Sequence, residues 1–173
     1  SDYLINGGNY GKNLVYMASY SQPSMPNLEQ FLSEWGIGVL PLIGYDEEHC
    51  YSAYTALLVE AADSDYTASF DSQNSIIYPD IYRLARRTFD KNGNRYTTPI
   101  LTTYDSALGC PIDAGQDWNS SQATEKGPFD VMLMGSAYDS KTSGEQTPAS
   151  NVVYIGGTYT LNEQVLSQSS IYN

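Results

Sequence analysis

The chain has 173 residues and a formal net charge of −12. This length suffices for one domain with its own core, while the charge argues against nucleic acids and anionic membrane surfaces as partners, because both would repel the chain. Charged residues make up only 16% of the chain, and much of its polarity comes from 16 tyrosines, a composition that suits exposure outside the cell. We therefore predict a single domain over residues 1–173.

The first residues, DYLINGG, predict the end of a helix followed by a glycine turn. Gly7, Gly8 and Gly11 have the composition of a phosphate loop, but such loops follow a strand and open a helix, and here a strand comes next. A turn is therefore predicted. The chain begins without methionine or a signal peptide, and we expect it to be cut from a longer protein. It contains no apolar run long enough to cross a bilayer.

The next segment predicts a strand, a helix and a second strand. Apolar residues 14–18 indicate a strand covered on both faces. Asn27 is the expected helix N-cap, Gln30 would complete a capping box, and Gly36 stands at the expected left-handed C-cap. The apolar stripe at i, i+3, i+4 and i+7 consists of Leu28, Phe31, Leu32 and Trp35. Because apolar residues 37–42 then return to a sheet, we predict a right-handed α/β unit.

Residues 45–51, YDEEHCY, contain the only histidine, His49. All five central residues are of metal-ligating types, but consecutive side chains do not converge on one point. A solvated acidic turn is therefore predicted, without metal. Cys50 and Cys110 could form one disulfide or remain thiols, and the sequence leaves both alternatives open.

Five of the eight basic residues fall between residues 83 and 95. If residues 80–89 are helical, Arg83, Arg86 and Arg87 share one face. This cluster predicts a docking patch for an acidic partner or anionic headgroups; the alternative is a solvated face that balances neighbouring carboxylates. DKNGN at residues 90–94 predicts a tight turn, since Arg95 and Leu101 stand where a calcium-binding loop requires glycine and glutamate.

The remaining apolar segments complete the predicted sheet. Strands are predicted at residues 54–62, 129–134 and 151–156. Residues 97–104 are predicted to be extended, and residues 76–78 are a short apolar piece that Pro79 closes. Residues 105–121 show no periodicity, although Trp118 could anchor them to the core. Residues 135–150 are predicted to be a loop, and residues 161–166 a short helix.

Seven motifs occur in order along the chain: YLINGGN, NLVYM, PNLEQFLSEWGI, TPILTTYDSA, KGPFDVMLMG, NVVYIGGTYTLN and the closing Asn173. This succession resembles the extracytoplasmic domain of Gld-type auxiliary proteins of ABC transporters, the "ABC-type uncharacterized transport system" family that includes a gliding-motility component. Residues 44–96 match it poorly.

The resemblance implies a layered α/β/α sandwich with a mainly parallel sheet, glutamine-amidotransferase-like or flavodoxin-like. Such domains are also similar to the N-terminal domain of an intraflagellar transport protein. It further implies a parent protein anchored by a transmembrane helix, with an ABC permease and ATPase as partners. The family has no established catalytic residues or cofactors, so none is assigned here.

Three functions are compatible with these residues. A Cys–His hydrolase needs a thiolate held against an imidazole, but His49 and Cys50 are adjacent and diverge in an extended chain, and Pro111 follows Cys110. No G-x-S-x-G motif occurs, while paired carboxylates stay open. A glycan-binding module would use exposed aromatic rings, with candidates Tyr10, Tyr16, Tyr20, Trp35, Tyr45, Tyr51, Tyr54 and Trp118. We rank a non-catalytic interaction domain first.

Overall fold

A computed structural model describes residues 1–19, 21–69, 76–79, 83–115, 117–139 and 149–158. Within these ranges the chain forms a ten-stranded mixed sheet, a three-stranded antiparallel sheet and two short α-helices. No helix in this part of the chain is long and apolar enough to cross a membrane.

The helices are α1 (Asp2–Ile5) and α2 (Pro26–Glu34). The strands are β1 (Asn13–Met17), β2 (Ile37–Val39), β3 (Leu42–Tyr45), β4 (Cys50–Tyr51), β5 (Ala53–Ala61), β6 (Ile76–Pro79), β7 (Ala85–Arg87), β8 (Lys91–Asn92), β9 (Arg95–Thr103), β10 (Leu108–Pro111), β11 (Glu125–Lys126), β12 (Asp130–Tyr138) and β13 (Ala149–Ile155).

The predicted mainly parallel α/β/α sandwich is wrong. The large sheet runs β1-β13-β12-β9-β5-β4, with β6, β7, β8 and β2 paired at its sides. Among the described strands only β1 and β13 pair in parallel; all other pairs are antiparallel. Tight hairpins such as β4–β5 and β8–β9 can join only antiparallel strands. Apolar runs had located strands but carried no information about their direction.

The predicted α/β unit is also wrong, although its elements exist. β1 pairs with β13, whereas β2 pairs with β7, so α2 does not link two neighbouring parallel strands. Pro41 then breaks the apolar run, and β3 continues in the three-stranded sheet with β10. β1 is not covered on both faces, because Val15 is 62% exposed.

Helix α2 begins two residues earlier than the predicted Asn27 cap requires. Pro26 occupies its first turn and Met25 is the N-cap, so the predicted Asn27 cap with Gln30 is wrong. The side chain of Glu29 instead accepts from the backbone N–H of Met25 at 3.2 Å. The predicted apolar stripe is confirmed: Leu32 and Trp35 are buried in the core, with Leu28 and Phe31 packed against it.

The helical conformation on which a shared face of the three arginines depended is absent from residues 83–89, because β7 forms there and pairs with β2 and β12. Strand predictions at 54–62, 129–134 and 151–156 are confirmed by β5, β12 and β13, and the predicted extended segment at 97–104 is β9. The short apolar piece at 76–78 forms β6. β12 runs on to Tyr138, so the predicted loop at 135–150 starts too early; β10 was missed. The helix predicted at 161–166 and Asn173 lie outside the described residues.

Candidate interaction surfaces

The three arginines predicted as one docking patch are not on one face. Arg83 is only 7% exposed, and its Nη2 donates to the carbonyl of Gln22 at 2.7 Å. The carbonyl of Arg83 accepts from the hydroxyl of Tyr154 at 2.8 Å, and its N–H donates to the carbonyl of Gly156. Arg83 therefore connects the residues just before β7 to the end of β13. Because it is buried, it does not belong to a surface docking patch.

Arg86 lies on the exposed side of β7. Its Nη2 donates to the carbonyl of Lys126 at 2.7 Å and lies 3.3 Å from the carboxylate of Glu125. The guanidinium carbon is 4.8 Å from the ring centroid of Phe129, a distance suited to a cation–π contact. The side chain is thus held flat against β11 and the start of β12, with 46% of its surface exposed.

Arg87 joins two carboxylates of different exposure. Its Nη1 is 3.0 Å from Asp90, whose side chain is 81% exposed, and its Nε is 3.7 Å from the nearly buried Asp130. The backbone N–H of Arg87 also donates to Asp130 at 3.2 Å. Burial raises the pKa of Asp130 above its ordinary 3.8, and the charge of Arg87 opposes that rise.

These side chains border an open cleft of about 410 Å³. It is lined by Arg86, Arg87, Thr88, Phe89, Asp90, Pro128 and Asp130. Two guanidinium groups and two carboxylates are therefore presented together with apolar ring surface. The arginines of this cleft can give up their ion pairs with neighbouring carboxylates and form ion pairs with carboxylates of a partner protein. Arginine is also enriched among the residues that contribute most to binding free energy at protein interfaces.

Residues 46–49 of the acidic segment form the predicted turn, between β3 and β4, but this turn is organised by a buried acid and is not fully solvated. Asp46 is 2% exposed, and its Oδ1 accepts from the N–H groups of Glu48 and His49 at 2.9 and 3.0 Å. Its Oδ2 accepts from the hydroxyl of Ser106 at 2.7 Å. Among the described residues no group of three or more potential ligands could hold a metal ion.

His49 completes a hydrogen-bonded chain with Ser106. Its Nδ1 lies 2.7 Å from Ser106 Oγ, and its ring stacks on Tyr104 at 3.9 Å between centroids. The order is therefore Asp46–Ser106–His49, with the serine in the middle. In a serine-hydrolase triad the histidine lies between the acid and the serine and takes the serine proton. Here Ser106 already donates to Asp46, so this arrangement fastens two loops together.

Both cysteines are free thiols. Cys110 is buried, and its Sγ lies 3.6 Å from the carbonyl of Asn119, to which it can donate. Burial raises the pKa of this thiol, which opposes formation of a nucleophilic thiolate. The prediction that Trp118 anchors its loop is confirmed, because it packs against Ile43, Tyr45 and Cys110.

The candidate sugar-stacking residues separate into buried and exposed rings. Trp35 and Tyr45 belong to the core, and burial together with Glu47 raises the pKa of Tyr45 to about 12. Tyr51 and Tyr54, in the β4–β5 hairpin, are 44% and 52% exposed. Tyr20 lies outside the described residues.

The fold is similar to a solved structure titled "mmIFT52 N-terminal domain". The two share 13% sequence identity with a TM-score of 0.56, and the match covers 92% of this chain and 60% of that chain. At this identity the likeness shows the fold alone, and it does not bear on the resemblance to Gld-type proteins. No family model and no curated protein matches the chain.

Sequence reasoning missed the residues that organise both surfaces. The sequence indicates only a strand for Phe129 and Asp130, an extended segment for Tyr104 and a stretch without periodicity for Ser106. Their roles depend on hydrogen bonds to partners that are 43 and 57 positions away along the chain. No local sequence pattern indicates contacts over such separations. One local signal is present in the acidic run ahead of His49. An aspartate side chain commonly accepts hydrogen bonds from the backbone N–H groups of the residues that follow it, and this favours a turn.

Proposed function

We propose that this chain is a non-catalytic extracytoplasmic interaction domain of an auxiliary subunit of an ABC transport system. Its partners are the permease and ATPase subunits of that system, and the parent protein is anchored to the cytoplasmic membrane. The assignment to a transport system rests on the succession of sequence motifs. The observation that supports an interaction role is the open cleft beside β7, which Arg86 and Arg87 line together with Phe89, Asp90 and Asp130.

The cleft suits an acidic loop of the permease. Arg86 and Arg87 are each paired with an exposed carboxylate, Glu125 and Asp90. Exposed ion pairs contribute little to folding, so a partner carboxylate can replace them at small cost. Asp130 and the β11 carbonyl of Lys126 hold the two guanidinium groups in place. A pre-positioned arginine loses less conformational freedom on binding.

The test uses the tagged full-length protein in its native cells, with cross-linking and mass spectrometry of the purified complex. We expect the permease and ATPase to co-purify. The double variant R86E/R87E should reduce their recovery about tenfold, equivalent to about 1.4 kcal/mol. K91E is the matched control, since Lys91 is exposed on neighbouring β8 and does not line the cleft. Recovery without transporter subunits, or equal recovery with R86E/R87E, contradicts the proposal.

Arg83 is left unchanged in this experiment. Its buried guanidinium holds Gln22, and a charge reversal there would unfold the region for reasons unrelated to docking. A melting curve of each surface variant separates loss of binding from loss of folding.

A second candidate function is glycan binding, favoured by the exposed pair Tyr51 and Tyr54. The ring of Tyr54 is braced edge-on against Tyr45 at 5.4 Å, which fixes it as a flat platform. Exposed Glu47 and Glu48 could accept hydrogen bonds from sugar hydroxyls. A glycan array distinguishes the two functions: binding that disappears in Y51A/Y54A and persists in R86E/R87E favours the glycan-binding module.

A further inference from the structure

The outer edge of β1 has backbone groups that no described residue uses. Two hydrogen bonds fix its orientation: the Lys12 carbonyl accepts from Asn151 N–H at 3.0 Å, and Ala18 N–H donates to the Ile155 carbonyl at 2.8 Å. In a parallel ladder every second residue directs both of its backbone groups to the same neighbour. Even-numbered residues of β1 therefore face β13, and Asn13, Val15 and Met17 direct their N–H and C=O groups outward.

Within the part of the chain that the structure describes, this edge has none of the usual protections against strand pairing. Exposed edges in native proteins are shortened, bulged, or carry lysine or proline. β1 has neither residue, and its five-residue pairing with β13 contains no register shift. The end strands β4 and β11 have only two residues each. Val15, in the centre of β1, is 62% exposed.

The side chains beside this edge indicate what would pair with it. Ser136 Oγ donates to Asn151 Oδ1 at 2.7 Å, and Asn151 Nδ2 donates to Asn13 Oδ1 at 2.8 Å. This polar ladder crosses β12, β13 and β1 and ends at the amide of Asn13. No described residue accepts a hydrogen bond from Asn13 Nδ2, so the ladder can be extended by an acceptor side chain on an added strand. Val15 would pack against a β-branched side chain on the same strand.

We propose that β1 binds an extended segment of a partner protein as an additional strand. The segment is neutral or basic, because this chain carries a net charge of −12. It places an Asn, Gln, Ser or Thr beside Asn13 and a β-branched residue beside Val15. A second copy of this chain fits less well, since two equally acidic domains repel each other. This inference does not depend on the proposed transport function or on the cleft at β7.

A proline at position 15 tests the contribution of the Val15 N–H, which is directed away from β13. V15P removes the Val15 N–H and puts the ring in its place, while Leu14 and Tyr16, the residues facing β13, keep theirs. Proline is tolerated on edge strands with this orientation. V15T is the matched control, because it keeps the N–H and a β-branched side chain.

The probe is a phage-displayed library of random linear peptides selected on the full chain. We expect enriched peptides to alternate β-branched residues with others, and to lose about tenfold or more in affinity for V15P but less than about threefold for V15T. A second test methylates the backbone nitrogens of a selected peptide one at a time. Binding should be lost when the methylated residue is one of every second residue, whose N–H faces β1. This test of strand addition remains valid even if V15P unfolds.

Three results would overturn the inference. They are the absence of enriched peptides, equal affinity for V15P when it is folded, and N-methylation effects without a two-residue period. Sedimentation of the free chain adds a fourth: a dimer that V15P dissociates would make a second copy the occupant. R86E/R87E should bind the selected peptides normally, so failure here is separable from failure of the cleft proposal.

Discussion

The main chain at Gly135 packs directly against the main chain of Trp35. A Cβ built on Gly135 would overlap the Trp35 carbonyl oxygen and lie 3.0 Å from the Trp35 Cβ. This contact lets the end of α2 lie flat on β12, where Trp35 and Leu32 join the core with Leu133 and Tyr154.

Replacing Gly135 with alanine should therefore destabilise the fold by about 3 kcal/mol, because a backbone atom is in the way and must move. Urea unfolding measures the loss. G93A is the control, since Gly93 faces open space and has only a left-handed φ of 62°, which costs about 1 kcal/mol for alanine. Equal losses for the two variants would contradict this packing.

Removing the hydroxyl of Ser106 should destabilise the protein by about 1–3 kcal/mol, the typical penalty for leaving a buried acceptor without its donor. Asp46 Oδ2 would lose the 2.7 Å hydrogen bond that joins the two loops. Urea denaturation of S106A measures this, with S121A as the control because Ser121 is exposed. An S106A protein as stable as wild type would show that the chain through Ser106 is not structural.

Arg87→Gln should change stability in a pH-dependent manner. The folded pKa of Asp130 lies above 3.8, so the folded state binds more protons than the unfolded state between these two values. Unfolding free energy consequently falls as the pH rises through this window. Loss of Arg87 raises the Asp130 pKa further, which enlarges the fall and costs about 1 kcal/mol at neutral pH.

Well below pH 3.8 the Asp130 carboxyl is protonated in both the folded and the unfolded state, and the part of the R87Q effect due to Asp130 should vanish. An NMR titration of Asp130 with urea unfolding at both pH values checks the prediction. D90N is the control: Asp90 raises the Asp130 pKa, so this variant should shift it in the opposite direction. A shift of the same sign in both variants would refute the assignment of causes.

Alkylation of the native protein should label Cys50 and spare Cys110. Cys50 is partly exposed, whereas Cys110 is buried and its pKa is raised, which lowers the reactive thiolate fraction. Iodoacetamide labelling followed by peptide mass spectrometry, with and without denaturant, measures both sites. Equal labelling of the two thiols in the folded state, or a disulfide between them, would be inconsistent with this structure.

Local patterns in the sequence located most of the described elements. The stripe of α2, the C-cap glycine at Gly36 and the buried strands follow from hydrophobic period and from backbone freedom, which are properties of neighbouring residues. The helix start was misplaced because Pro26 is itself suited to the first turn. The segment containing Arg86 and Arg87 has a helix-compatible charge spacing, but pairing with β2 and β12 overrides it.

The position of each apolar segment, the presence of a single histidine and the acidic net charge can all be read from the order of the residues. Strand direction, the burial of Arg83, the placement of β2 and β3 in different sheets and the contact of Asp46 with Ser106 follow only from the folded chain. These depend on contacts between residues distant along the chain, such as the 60-position gap between Asp46 and Ser106. The same apolar run satisfies a parallel or an antiparallel neighbour equally well, so its direction is fixed by the rest of the sheet.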